Sequence, residues 1–332
     1  MRTFIGEREN RPRAVWRLLA QVVVFQAATF LLFALFAVSW SLAGSSEATF
    51  GSSGPLNQSP TVLLLGSVAA LGAVFLSLWF AGRFLDRRPF KDFGFHLDGG
   101  WWLDLFFGLA LGAVLMAGIF LVEIAFGWIR IESTFNPNIP GTPFWLALAP
   151  PVVIFLCVGV YEEMFSRGYQ LLNMAEGFNY PLLGPRGAIV AAWVLSSSIF
   201  GVLHLGNPNA TLLSAFNISL AGLMLGTGYV LTGELSIPIG LHITWNFFQG
   251  TVFGFPVSGL EPIGATFISI EQGGPDLWTG GAFGPEAGLM DPIATLIGIS
   301  LIALWVRLRR GRVALHTPLA EPPKTEPRVG RE

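Results

Sequence analysis

The chain has 332 residues, of which 52% are hydrophobic and only 12% are charged, whereas a soluble domain carries about 25% charged residues. This balance, with a mean hydropathy of +0.61, excludes a fold built on a single water-soluble core. The net charge of -2 argues against nucleic acid as a partner, because phosphate binding needs an excess of lysine and arginine. The single cysteine, Cys157, excludes an intrachain disulfide and a Cys-x-x-Cys zinc site.

Apolar runs close to the roughly 20 residues that cross a bilayer recur along the whole chain. They are continuous rather than alternating, which favours helices over the strands of a barrel. We therefore predict an all-α fold, a polytopic transmembrane helix bundle of about eight spans whose first helix is retained rather than cleaved. The spans are expected at about 16–43, 61–83, 103–127, 144–163, 187–205, 210–232, 235–253 and 291–307. A bend is expected in the fourth span at Pro150-Pro151.

Lysine and arginine mark the connections that face the cytoplasm. They occur before the first span, between the second and third, between the fourth and fifth, and after the last. This pattern places both termini in the cytoplasm, and we expect the plasma membrane of a prokaryote. Residues 1–15 then form a cytoplasmic segment, 16–307 the transmembrane domain, 254–290 a long non-cytoplasmic loop, and 308–332 a proline-rich cytoplasmic tail that we expect to be disordered.

Charged side chains inside the hydrocarbon layer cost about 2.5 to 3.5 kcal/mol each on insertion scales, so each one needs a reason. Glu162 and Glu163 directly follow the apolar run 152–160 and point about 100° apart on a helix. Glu163 stands four residues before Arg167, the favourable order for a helical ion pair, which leaves Glu162 for another role. Three further acidic residues lie near predicted span ends, where water is within reach, and we assign them no chemistry: Asp104, Glu123 and Glu234.

Two histidines also lie in apolar segments. His204 closes the uncharged run 188–203, and His242 precedes Asn246 by four residues, so that both share one face of the seventh span. Taken alone, each group has a structural explanation, such as a solvated helix end or a hydrogen bond between helices. Together, a carboxylate, two imidazoles and an amide from three spans provide a base, a second proton carrier or metal ligand, and an oxyanion donor.

Three short motifs follow one another on these spans: Glu162-Glu163-x-x-x-Arg167, Phe200-x-x-x-His204 and His242-x-x-x-Asn246. In type and order they resemble the motifs of the CPBP family of intramembrane proteases, also called the CAAX-processing or Abi family, which is like the type II CAAX prenyl endopeptidases. The resemblance covers a core of about 144–250, and a weaker likeness to bacterial members comes from Gly281-Ala-Phe-Gly-Pro-Glu286.

The resemblance implies an intramembrane endopeptidase acting on a peptide or membrane protein in the lipid bilayer. It implies that Glu162 activates the attacking water with help from His204, while His242 and Asn246 stabilise the oxyanion. It implies supporting roles for Glu163, Arg167 and Phe200. The resemblance does not say whether the substrate is prenylated.

The sequence does not decide whether a metal takes part, nor whether the protein is an enzyme. Glu162, His204 and His242 could form a zinc site with a water in the fourth position, although no His-Glu-x-x-His helix is present. Two other functions fit the same residues. One is a proton-coupled transporter, for which we find no internal repeat, and the other is a non-catalytic membrane scaffold or immunity protein.

Straight helices between the predicted boundaries do not bring these residues together. They place Glu162 and His242 in the inner part of the membrane and His204 near its outer end. A bend in the fourth span, a tilt of the fifth, or a helix that continues from Phe144 to about Met174 would remove the difference in depth.

Overall fold

The computed structural model describes residues 11–42, 60–139 and 141–323, and it confirms the helical membrane fold predicted from the sequence. Within those ranges, seven helices are long and apolar enough to cross a membrane. The helices in chain order are α1 (Ala14–Leu42), α2 (Pro60–Phe80, continued by the π-helical turn Ala81–Asp86), α3 (Gly99–Ala125), α4 (Phe144–Phe178), α5 (Gly184–Leu203), α6 (Leu212–Thr232), α7 (Ser236–Asn246, continued by the π-helical turn Phe247–Val252) and α8 (Met290–Arg310). Short helical turns occupy Phe90–Phe93, His204–Gly206, Asp276–Thr279, Gly281–Phe283, Pro285–Ala287 and Thr317–Ala320.

A small two-stranded sheet was not predicted. β1 (Ile129–Pro137) pairs antiparallel with β2 (Ala265–Gln272), which lies in the segment expected as a long loop. The alternation of apolar and polar residues from Ile129 onwards was the sequence signal for β1.

The pairing of β1 with β2 also fixes the number of passes. Both strands lie on the same side of the bundle, which requires an even number of crossings by the four helices between them. Three of these four helices, α4, α5 and α6, are among the seven long spans, whereas α7 is too short to be counted with them. The even number requires α7 to cross as well, which brings the total to eight passes. We call the side with the sheet the loop side, and the opposite side, which carries residues 11 and 323, the terminal side.

α4 extends well beyond the predicted end of the fourth span at residue 163. It is α-helical over Ala149–Glu163, π-helical over Met164–Leu171 and α-helical again over Leu172–Phe178. The boundary was wrong because the charges of Glu163 and Arg167 pair inside the bundle instead of reaching water. The two prolines lie at the start of the stretch Ala149–Glu163, where a missing N–H costs little, and directly after an interruption of the helix at Leu148.

Two acidic residues placed near water by the sequence are in fact buried. Asp104 accepts a hydrogen bond from the Trp305 indole at 2.8 Å and pairs with Arg309. Glu123 is fully buried in α3. The prediction failed because neighbouring helices cover the ends of α3.

The tail is also ordered further than predicted. Residues 311–323 pack on the terminal side, where the His316 amide donates to the Val230 carbonyl at 2.8 Å. Leu319 and Ala320 are buried, and the Asn179 side chain donates to the Ala320 carbonyl at 2.8 Å. Packing of these apolar residues offsets the disorder that the proline content favours. Residues 1–10 and 324–332, which belong to the predicted terminal segments, lie outside the described residues.

An ion cluster joins α1, α2 and α4 on the terminal side. Arg17 bonds Asp86 at 2.7 Å and Glu176 at 2.6 Å. The Tyr169 hydroxyl donates to Asp86 at 2.7 Å, and Arg88 pairs with Glu176 at 3.1 Å. All of these groups are buried, so each charge depends on its partners.

Candidate active site

A cavity of about 260 Å³ lies inside the bundle, towards the loop side. It is the place where the four residues predicted to be catalytic come together. Its lining includes Glu162 of α4, His204 after α5, and His242 and Asn246 of α7. The rest of the wall is mainly apolar, with Phe155, Val158, Leu225 and Trp245 among its side chains.

Glycines allow the helices that carry these residues to approach closely. A Cβ on Gly159 of α4 would lie 2.5 Å from Ile243 of α7, so these two helices touch one turn from Glu163 and directly beside His242. A Cβ on Gly201 of α5 would collide with the backbone of α6 at Ala215. The absence of a Cβ at these two positions therefore lets the backbones approach this closely.

The extended α4 removes the difference in depth between Glu162 and His204. Glu162 and His204 line the same cavity and the same neighbouring groove, so the two side chains lie at a common depth in the bundle. The continuing helix, one of the three explanations considered for the sequence, brings the residues together.

Glu163 forms the buried centre of the polar cluster and does not line the cavity. Its Oε1 accepts from Arg167 at 2.7 Å and from Nδ1 of His242 at 2.8 Å. Arg167 also donates to the Gly222 carbonyl of α6 at 3.1 Å. Glu163 and Arg167 are 0% and 1% exposed. This ion pair therefore connects three helices and orients the ring of His242.

Glu162 is the carboxylate that faces the cavity. Its side chain is 21% exposed, and Oε1 accepts a hydrogen bond from the Tyr161 hydroxyl at 3.2 Å. Oε2 lies 3.9 Å from Nε2 of His242, which leaves room for a small molecule to bond to both. The ion pair of Glu163 and Arg167 predicted from their spacing is present, and Glu162 is the glutamate of the two that lines the cavity.

His204 has one ring nitrogen engaged and one directed away from that contact. Nδ1 lies 2.7 Å from the Phe200 carbonyl, which can only accept, so Nδ1 carries the proton. In the neutral ring, Nε2 is then the basic atom. The Phe200 ring contacts both His204 and Arg167: its centre lies 4.7 Å from that of the imidazole, at a tilt of 55°, and 4.5 Å from the guanidinium carbon.

A second groove of about 500 Å³ meets the cavity at Glu162 and His204. Its walls come from α1, α4 and α5, including Phe25, Phe165 and Ile199. The glutamate and the histidine are thus reached between helices as well as from the loop side.

Sequence reasoning missed Glu286 as a cavity residue. It lies in the turn before α8, is 7% exposed and lines the same cavity as Glu162. Burial raises the pKa of its carboxyl, although hydrogen bonds and the nearby charge of His204 oppose that rise. The weak likeness in residues 281–286 was the signal that pointed to it.

The proposed zinc ligands do not form a metal site in this arrangement. Over residues 11–42, 60–139 and 141–323, no three His, Cys, Asp or Glu side chains are placed to hold a metal ion. Glu162, His204 and His242 line one cavity, and Nε2 of His242 lies 3.9 Å from Oε2 of Glu162, but the three are not among any group placed to hold one ion. Their arrangement therefore does not match a two-histidine, one-carboxylate zinc site.

Fold and cavity define a polytopic helical membrane protein with a buried glutamate–histidine site. Residues 143–248 match the family model described as Rce1-like, type II CAAX prenyl endopeptidase Rce1-like, which confirms the resemblance carried by the three motifs. The chain is also 24% identical over 252 residues to the uncharacterized protein YyaK of Bacillus subtilis, covering 71% of this chain and 80% of that protein. No solved structure gives a significant match. The family match supports a protease-type activity in the membrane.

Proposed function

We propose that the protein is an intramembrane endopeptidase that hydrolyses a peptide bond with a water molecule activated by Glu162 and His204. The observation that carries the proposal is the cavity, which collects Glu162, His204, His242 and Asn246 from three separate parts of the chain. A scaffold has no need of a water-sized space between these groups. The match of residues 143–248 to an endopeptidase family supports the same class of reaction.

In the proposed reaction, the Glu162 carboxylate accepts a proton from water while the water oxygen bonds to the carbonyl carbon of the substrate. The π electrons of the carbonyl move to its oxygen, which becomes an oxyanion. When the intermediate collapses, the C–N bond breaks and the amine nitrogen receives a proton from Glu162. Nε2 of His204 assists by accepting or returning a proton during these two steps.

His242 and Asn246 are proposed to stabilise the oxyanion. Nδ1 of His242 donates to Glu163, so Nε2 is the atom that faces the cavity. It donates to an oxyanion when the ring carries both protons, and carboxylates on two sides compensate that charge. Asn246 follows one turn later on the same face and offers its amide N–H groups.

We further propose that the terminal side is cytoplasmic, in the plasma membrane of a prokaryote. The arginines of residues 11–17 and 83–88 and of the end of α8 lie on this side, in agreement with the positive-inside rule. The loop side, with the sheet and the cavity, then faces outwards. In this scheme residues 16–307 form the membrane domain, and 144–250 its catalytic core.

The decisive experiment compares Glu162→Gln with a matched control, Glu271→Gln. Glu271 is an exposed glutamate of β2, on the loop side but away from the cavity lining. The purified variants are reconstituted in liposomes and incubated with a library of internally quenched peptides. We expect Glu162→Gln to reduce hydrolysis by about 10²-fold or more and Glu271→Gln to leave it unchanged. Turnover of Glu162→Gln at the wild-type rate would exclude Glu162 as the base.

The same preparation separates a carboxylate mechanism from a metal one. Because the scheme assigns no step to a metal, 1,10-phenanthroline should leave the rate unchanged. Loss of activity on chelation, restored by stoichiometric zinc, would contradict this part of the proposal. A biological phenotype that persists in Glu162→Gln would favour the scaffold instead.

A further inference from the structure

Three loop-side segments interlock beside the cavity: 204–210, 256–260 and 281–287. A Cβ on Gly259 would collide with the Pro208 carbonyl, and a Cβ on Gly284 would collide with the Pro256 carbonyl. The Gly259 amide donates to the Phe283 carbonyl at 2.9 Å. The three segments are therefore packed backbone against backbone, with little freedom to move separately.

Glu286 is the charged residue at the centre of this packing. Oε2 accepts from the Ser258 amide at 2.5 Å and from Gln249 at 3.2 Å. The Ser258 hydroxyl lies 3.1 Å from Oε1 and 3.0 Å from Oε2. Ser258 has a φ of 49°, a conformation that costs energy for a residue with a side chain. The bonds from Glu286 offset that cost and hold the 256–260 segment in place.

Ser258 is in turn connected to the turn that carries His204. The Ser258 carbonyl accepts from the Asn207 side chain at 3.1 Å. The Asn207 amide donates to the His204 carbonyl at 3.1 Å. A continuous series of hydrogen bonds therefore runs from Glu286 through Ser258 and Asn207 to the backbone of His204.

We propose that Glu286 is a positioning residue that holds the turn of His204 in place through Ser258 and Asn207. The role of that turn in hydrolysis rests on the proposed function, whereas its dependence on Glu286 does not. Glu286 also lines the cavity with His204.

The test measures the ring of His204 directly, without a substrate. The chain contains four histidines, so ¹³C-labelled histidine gives few ring signals in detergent micelles, and His204→Gln identifies the one required. We expect Glu286→Ala to shift and broaden the His204 signal and to lower the backbone order parameter of Asn207 from about 0.85 towards about 0.6. Glu286→Gln retains a carbonyl acceptor for Ser258 and should restore most of the order.

Two histidines on the terminal side, His96 and His316, provide the internal control, since their signals should not change. Ser258→Ala removes the hydroxyl bonds but keeps the carboxylate, and it should produce the same displacement to a smaller extent. If Glu286→Ala does not fold, Ser258→Ala therefore decides the question. An unchanged His204 signal in the folded variants would overturn the proposal.

A functional measurement separates this inference from the proposed function. On a peptide cleaved by the wild type, Glu286→Ala should lower kcat by at least about tenfold with little change in KM. If no peptide is cleaved by the wild type but His204 responds as expected, positioning stands and the endopeptidase proposal fails. If cleavage is found and kcat of the folded Glu286→Ala variant is unchanged, the positioning role is wrong.

Discussion

Replacing Arg167 by alanine should destabilise the protein more than any exposed arginine substitution, because it leaves a carboxylate inside the bundle without its main partner. Arg167 is 1% exposed and bonds Glu163 at 2.7 Å. It also donates to the Gly222 carbonyl at 3.1 Å and stacks on Phe200. None of these contacts is replaced by water when the side chain is removed.

The expected magnitude follows from the burial of the pair. Breaking a buried ion pair by removing one partner costs about 3 to 5 kcal/mol, since the remaining charge is uncompensated. We therefore expect the free energy of unfolding to fall by about 3 to 5 kcal/mol in Arg167→Ala.

The assay is equilibrium unfolding in mixed micelles, in which a denaturing detergent is titrated against a mild one. A double-mutant cycle with Glu163→Gln tests the cause, because the second substitution removes the orphaned charge. The double variant should lose at least about 1.5 kcal/mol less than the sum of the two single losses. Arg130→Ala is the control, since Arg130 is 76% exposed and pairs with Glu271 at the surface, where a pair contributes about 0 to 1 kcal/mol.

Additive losses in the cycle would refute the reasoning. They would mean that Arg167 stabilises the bundle by packing alone and that Glu163 does not depend on it. A loss below about 1 kcal/mol in Arg167→Ala would also contradict the estimate, because it would require water to reach the buried carboxylate.

Two other outcomes follow from the packing and from the terminal side. Gly112→Ala should cost about 1 to 3 kcal/mol in the same unfolding assay, since its Cβ would collide with α7 at Leu241, whereas Gly118→Ala on the same helix meets open space and should not destabilise. Burial and the charge of Arg310 lower the pKa of His316 below 6.5, so its contribution to stability is present above pH 6.5 and is lost as the pH falls through the lowered value. His316→Gln should remove that part of the pH dependence, and equal pH dependence in both proteins would contradict it.

Much of the fold could be predicted because the hydrocarbon layer requires every span to be an apolar run of sufficient length. The apolar runs predicted the helices, and the short α7 completes the eight passes. The end of α4 could be given only as one of three alternatives, because Glu163 and Arg167 look like a solvated helix end unless their pairing with His242 is known. Asp104 was misplaced for a similar reason, since its partner Arg309 is distant in the sequence.

The residues of the candidate site could be predicted from the sequence, but their relative positions could not. Glu162, His204, His242 and Asn246 could be named because polar side chains in apolar runs are few. Their meeting in one cavity depends on close helix contacts at Gly159 and Gly201, which no spacing rule reveals. Glu286 was not identified as a cavity residue because its partners Ser258 and Gln249 are distant in the sequence and come close to it only in the folded chain.

The long α4 has a mechanical consequence. One continuous rod carries Glu162 in the cavity and Glu176 in the ion cluster of the terminal side, about 21 Å apart along the axis at roughly 1.5 Å per residue. Because the backbone is helical throughout between the two residues, the contacts that hold Glu176 also set the level of Glu162 in the bundle. The attachment of α1 on the terminal side and the position of Glu162 in the cavity therefore depend on one helix.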